Sequence, residues 1–216
     1  GLLASYQALE GLTIMAGVAE TWFGAINERP SDGGAVAESQ KTYMALFSYV
    51  LPESAGALSG TAIYAGVVDG LYGASAGPNS KDTTSYYVGT TIATPLEGFS
   101  FGGSFDYRED GSNAVTVGDN WAWAGAVYAS YQATEKLKLN ARGDYITGSS
   151  GTIGLATVEC DSVKIGAATL TAEYTLWASV LTRAEVRWDR DLGRERPYGI
   201  ADQNAVTVAA NVIYKF

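Results

Sequence analysis

The sequence predicts an all-β fold, an antiparallel up-and-down transmembrane β-barrel with about eleven strands visible. Three observations carry this: apolar and polar residues alternate with period two from end to end, connections alternate between short and long, and several strands confine their charges to one face. Period-two alternation means that each strand has one face in an apolar medium and the other in a polar one. The alternating segments fall at 2–9, 11–22, 41–52, 58–72, 83–95, 98–109, 120–133, 136–148, 164–177, 179–191 and 204–216. Most are long enough for tilted membrane strands, which need roughly 9 to 11 residues. No segment of comparable length reads as an amphipathic helix.

The connections repeat a second pattern. Short ones lie at Leu9-Glu10-Gly11, around Pro52-Glu53-Ser54, and at 95–98, 133–136 and 177–179; longer polar loops rich in Gly, Asn, Asp and Ser occupy 23–40, 73–82, 110–119, 149–163 and 192–203. Outer-membrane barrels have tight periplasmic turns and long extracellular loops. A soluble sandwich has no reason to keep that asymmetry through five hairpins.

The C-terminal strands fix which face is which. In 204–216, Val206, Val208, Ala210, Val212, Tyr214 and Phe216 share one side, with Thr207, Asn211 and Lys215 on the other. The preceding strand sets Val180, Thr182, Ala184, Val186 and Trp188 against Arg183, Glu185, Arg187 and Asp189. Four charges on one face cannot look into hydrocarbon, where a basic residue at mid-depth costs roughly 2 to 4 kcal/mol. The same division places Glu173 opposite Leu170 and Tyr174, Lys138, Arg142 and Asp144 opposite Leu139 and Tyr145, and Asp106 and Arg108 opposite Phe105 and Tyr107. The apolar set is therefore expected to face lipid. The expected pore-lining residues are Asp106, Arg108, Lys138, Arg142, Asp144, Glu173, Arg183, Glu185, Arg187 and Asp189. With Asp191 and Lys215 added, this wall holds six acids and six bases, so the formal charge of −9 is expected to sit at the two mouths.

Aromatic residues on the apolar faces gather near strand ends, where amphipathic rings suit the headgroup region. Trp121, Trp123 and Trp188, with Tyr86, Tyr107 and Tyr145, are expected toward the long loops. Trp177, Tyr214 and Phe216, with Phe99, Phe101, Tyr131 and Tyr174, are expected toward the short turns.

Composition bounds the alternatives. The 216 residues include 26 Gly and 14 Tyr, only 17% are charged, and mean hydropathy is +0.01. No stretch approaches the ~20 consecutive apolar residues of a membrane helix. The negative charge and the lack of a basic cluster speak against nucleic acid as a partner. One cysteine, Cys160, allows no disulfide within the chain, and the absence of His removes Ser-His-Asp and Cys-His arrangements. Glu185 and Asp189 could do acid–base work, but Arg183 and Arg187 on their face point to mutual neutralisation. Residues 110–113 and 189–191 lack the ligand spacing of a calcium loop, and Gly102-Gly103 and 148–151 lack a phosphate loop's strand-to-helix setting. No catalytic residue, metal site or cofactor is expected, and an enzyme is not. Gly1 follows no basic leader or apolar signal core, as expected of an exported chain already processed.

Residues 1–22, 41–44, 183–190 and 211–216 resemble the β-barrel porin-2 family of OmpL-like porins. A chain ending on Phe216 after alternating aromatics also resembles the signal read by outer-membrane assembly machinery. The family resemblance implies a barrel in the bacterial outer membrane whose first strands precede Gly1. An odd strand count agrees, because single-chain bacterial barrels have even numbers. Residues 1–216 are thus expected to form one barrel domain, incomplete at its N-terminus. The expected function is a water-filled pore for passive diffusion of small hydrophilic solutes, among outer-membrane lipids and open to homo-oligomers. The alternative is a structural barrel sheathing a lumen-filling partner such as a multihaem cytochrome.

Overall fold

Every alternating segment forms a strand, because period-two sequences satisfy their backbone only by pairing with neighbours of the same kind. The computed structural model describes residues 1–22, 41–71, 82–111, 120–153, 162–193 and 202–216. The strands are β1 (Leu2–Leu9), β2 (Leu12–Ala19), β3 (Thr42–Val50), β4 (Ala62–Leu71), β5 (Asp82–Ile92), β6 (Phe99–Asp110), β7 (Trp121–Gln132), β8 (Leu137–Gly148), β9 (Val163–Trp177), β10 (Val180–Asp191) and β11 (Asn204–Tyr214). They make one sheet in sequence order, each antiparallel to the next. β1 and β11 are its two edges and do not pair with each other, so the sheet is open.

Short turns are built by local chemistry. Gly11, between β1 and β2, has φ +78°, and a Cβ there would collide with the Val50 carbonyl oxygen. In the β7–β8 turn the Thr134 hydroxyl accepts from the amides of Leu137 (3.0 Å) and Lys136 (3.3 Å), closing the chain without glycine. The β3–β4 connection is longer than the sequence suggests. A 3-10 segment, Glu53–Leu58, kinked at Gly56 where φ is +61°, follows Pro52, and Gly60 at φ +81° returns the chain so that its amide meets the Leu51 carbonyl. Alternation at 58–62 therefore extends beyond the strand, which begins only at Ala62. A bulge at Leu176 lets Trp177 pair with Val180 and Thr175 with Leu181.

Of the predicted long loops, most residues lie outside those described. A single helical turn, Ser150–Ile153, follows β8. Cys160, Ser112 and Asn113 also fall outside the described residues.

The packing is inverted relative to a water-soluble protein. Among the described residues only Ala62 and Val163 form a buried hydrophobic set, while Val127 (68%), Leu170 (67%) and Val186 (49%) are exposed. These exposed side chains share one face, which we call outer. The opposite, inner face is less accessible although more polar: in β10, Arg183, Glu185, Arg187 and Asp189 are half-buried between exposed Ala184, Val186 and Trp188. No described helix is long and apolar enough to cross a membrane.

Candidate functional site: the charged inner wall

The register brings the charges of five strands onto one surface. Arg183 pairs with Glu173, Lys138 with Glu173 on its other side, and Asp144 lies across β9 from Asp189, with Ala167 between them. In β8 Arg142 binds Asp144, and Arg187 reaches over β9 to the second oxygen of the same carboxylate at 3.6 Å. Arg187 also grips Asp189, with Nε 3.0 Å from both oxygens and Nη2 at 2.8 Å. Arg183 Nη2 and Asn140 Nδ2 both donate to Glu173 Oε1, at 3.2 and 3.1 Å. Thr171 donates to Glu185 at 2.9 Å. Partly exposed pairs of this kind contribute only about 0–1 kcal/mol each. Their stronger effect is geometric, since a shared carboxylate holds two guanidinium groups flat against the wall.

A second cluster closes the long-loop end of β6. Arg108 binds Asp110 through two bonds, Nε–Oδ1 at 2.7 Å and Nη2–Oδ2 at 3.1 Å, and its guanidinium lies 4.6 Å from the centre of the Trp22 ring. Asp110 also accepts from Thr83 and Thr152. Between the clusters Tyr128 meets the Ser104 hydroxyl at 3.1 Å, and the Arg142 guanidinium sits 5.2 Å from its ring centre. The wall below is a polar groove of about 400 Å³ bounded by Tyr128, Asn140, Arg142, Thr171, Glu185 and Arg187.

All ten residues singled out as a charged face occupy this inner face by register. The sequence reading missed Asp110, which it assigned to a loop, and Tyr128. The signal for Tyr128 was present: Ala122, Ala124 and Ala126 make the rest of that side of β7 small, and the register sets Tyr128 beside Arg142. Asp110 was obscured because the strand ends on it. Among the described residues no group of three acidic, Cys or His side chains could hold a metal.

The aromatics of β5–β11 expected in the two girdles lie on the outer face by register. Phe105, Trp123 and Tyr145 form a row across β6–β8, with centroids 5.8 and 5.0 Å apart, and Tyr86 meets Tyr107 at 6.3 Å. Trp121 begins β7 two residues before Trp123, and Trp188 donates to Asn204 at 3.1 Å. At the short-turn end Phe99 stacks on Tyr131 at 4.4 Å, and Trp177, Tyr214 and Phe216 are exposed.

An up-and-down antiparallel sheet with an apolar outer face and a charged inner one defines a porin-type barrel of the bacterial outer membrane. The chain belongs to the beta-barrel porin-2, OmpL-like family, whose model matches residues 1–216. Among solved structures it is similar to an anion-selective porin from Comamonas acidovorans, with TM-score 0.73 at 10% identity, covering 99% of this chain and 58% of that one. It is also similar to OmpT, an outer membrane protein of Vibrio cholerae folded in vitro, with TM-score 0.62 at 15% identity over 99% of this chain and 63% of that one. At such identities the likeness establishes the fold. The chain therefore spans about three fifths of the length of these structures. No curated protein matches it. Membership of this family sets the chain among outer-membrane lipids and points to a porin rather than to an enzyme.

Proposed function

We propose that the chain forms part of the wall of a water-filled pore through which small hydrophilic solutes diffuse passively, with the inner face of β6–β10 lining the lumen. The carrying observation is the opposition on β10: Arg183, Glu185, Arg187 and Asp189 pair among inner-face partners, while Ala184, Val186 and Trp188 stand exposed on the other side. Hydrocarbon on the outer face and water on the inner one give each set the medium in which it is stable. The outer aromatics then meet the two headgroup levels, Trp121, Trp123 and Trp188 at one and Trp177, Tyr214 and Phe216 at the other.

The open edges of β1 and β11 present unpaired backbone groups that hydrocarbon does not tolerate. The closed barrel accordingly needs further strands between them, in keeping with the share of the two solved structures that this chain covers.

The test combines labelling and conductance. In a Cys160→Ser background, cysteines at Glu185 and Arg187 in intact outer membranes are expected to react with a water-soluble thiol reagent, and one at Val186 is not. The reverse pattern overturns the assignment of faces. The full-length protein in a planar bilayer is expected to conduct; silent insertion favours a barrel filled by a partner protein.

A further inference from the structure

The inner face is not polar throughout. Across β1–β4 it carries Leu3, Met15, Met44, Leu46 and Val68, which bound a recess of about 490 Å³ together with Ser85, Tyr87 and Asp106 from β5 and β6. The register puts these residues on the same face as the charges, since Met15 pairs with Leu46, Met44 with Val68, Val68 with Ser85, and Tyr87 with Asp106. The chain has two methionines, and both lie here. Methionine adapts its shape to varied apolar surfaces and is favoured where ligands differ. Gly66 lies on the floor: a Cβ there would meet the Ala45 carbonyl oxygen at 3.4 Å and Leu46 at 3.8 Å, ordinary van der Waals contact, so a side chain fits without a clash.

A contiguous apolar patch costs free energy in contact with water unless something covers it. Its size and composition, largely apolar with a few polar groups at one end, are those of a small-molecule site. The polar end identifies the occupant. Asp110, Asp144, Glu173, Glu185 and Asp189 all take a hydrogen bond or ion pair from a neighbouring side chain. Asp106 takes none among the described residues, and it stands exposed at the rim of the recess beside Tyr87.

We propose that this recess is a binding subsite for amphipathic cations, with the apolar body against Leu3, Met15, Met44, Leu46 and Val68 and the charged head at Asp106. The proposal rests on the inner face lining an aqueous lumen. It adds that the pore wall retains one chemical class of solute while the charged half conducts others. An apolar anion fits the recess equally well by shape but meets Asp106 as a like charge.

Full-length protein in planar bilayers provides the first arm. Hexyltrimethylammonium is expected to block current at concentrations about tenfold or more below tetramethylammonium, the factor that roughly two buried methylenes supply. Hexanesulfonate is expected to block no better than methanesulfonate. Gly66→Leu, which fills the recess, and the isosteric Asp106→Asn are each expected to abolish most of the hexyl preference. Equal block by the two cations in a conducting channel overturns the subsite and leaves the pore reading intact. The second arm needs no conductance: in the Cys160→Ser background, Met44→Cys is expected to react with a water-soluble thiol reagent and to be protected by hexyltrimethylammonium. A Met44→Cys thiol that never reacts shows the recess covered by protein, and one that reacts without protection shows that the cation does not enter. Either result refutes the proposal, whether or not the protein conducts.

Discussion

The inner face divides into two halves. Across β6–β10 it is a network in which Arg142 and Arg187 share Asp144, and Arg183 and Asn140 share Glu173. Across β1–β4 the same face carries Met15, Met44, Leu46 and Val68, and its polar side chains are Ser5, Gln7, Thr13, Thr42, Ser48 and Tyr64. One backbone geometry, one hydrogen-bonding order and one curvature thus serve two surfaces of opposite chemistry. The outer side is apolar through the middle of its strands, as lipid demands, and its charged residues Asp69, Glu109, Lys164 and Arg190 stand near the long-loop ends. Register continuity carries the assignment from the half where charges fix it to the half where they do not.

The largest expected effect breaks the comparison directly. Leu170→Arg, on the outer face of β9, should lower the stability of the folded barrel in lipid vesicles by roughly 2–4 kcal/mol or abolish assembly. Val68→Arg, on the inner face of β4, should cost less than about 1 kcal/mol, because an arginine there reaches water or Asp106. Equilibrium unfolding by denaturant measures both. Equal losses would show that the apolar half of the inner face meets lipid or packed protein rather than an aqueous lumen.

How much of this was legible beforehand differs between the halves for a physical reason. β10 declares its faces in its own sequence, because four alternating charges admit one orientation in a membrane. β3 and β4, with Tyr43-Met44-Ala45-Leu46-Phe47 and Ala65-Gly66-Val67-Val68, are apolar on both sides, so alternation identifies them as strands without saying which side is inner. The apolar recess was therefore invisible: it exists only once three successive strand pairings place Met44 and Asp106 on the same surface. The 3-10 segment Glu53–Leu58 was missed because Leu58, its last residue, and Ala62, which opens β4, imitate strand periodicity. The arginine-sharing carboxylates were foreseeable as a face but not as pairs. Side-chain reach across β9, which joins Arg187 to Asp144, depends on curvature and rotamer rather than on spacing.

A smaller effect sharpens the network itself. Asp144→Asn removes the carboxylate common to Arg142 and Arg187 and should cost about 1–2 kcal/mol at low salt, since it affects two charge-assisted contacts of a half-buried group. Arg187→Met should cost less in the Asp144→Asn background than in the unaltered protein, because its contact with Asp144 is already gone there and only its contact with Asp189 remains to be lost. A thermodynamic cycle in the same unfolding assay gives the coupling, and a coupling indistinguishable from zero at low salt would mean that the network positions side chains without stabilising the barrel.

The smallest expected effect concerns selectivity, and the two halves again decide its size. The charged half holds Asp106, Asp110, Asp144, Glu173, Glu185, Asp189 and Asp191 against Arg108, Lys138, Arg142, Arg183, Arg187 and Lys215, so its charge nearly cancels. The apolar half adds no charge of its own. No ring of one sign therefore surrounds the solute path on these strands, and strong selectivity needs such a ring. The net −9 of the chain lies mostly outside the wall, on turns and loops, where its summed field raises the local concentration of cations. That field is screened beyond about 8 Å at physiological salt. The full-length barrel is thus expected to prefer cations weakly, with the preference fading as salt rises, and Asp106→Asn should reduce it further because Asp106 takes neither an ion pair nor a hydrogen bond among the described residues. Reversal potentials across a salt gradient measure this. A strong anion preference, such as the name of the Comamonas acidovorans porin describes for that protein, would show that strands beyond β1–β11 supply a basic wall opposite the apolar half.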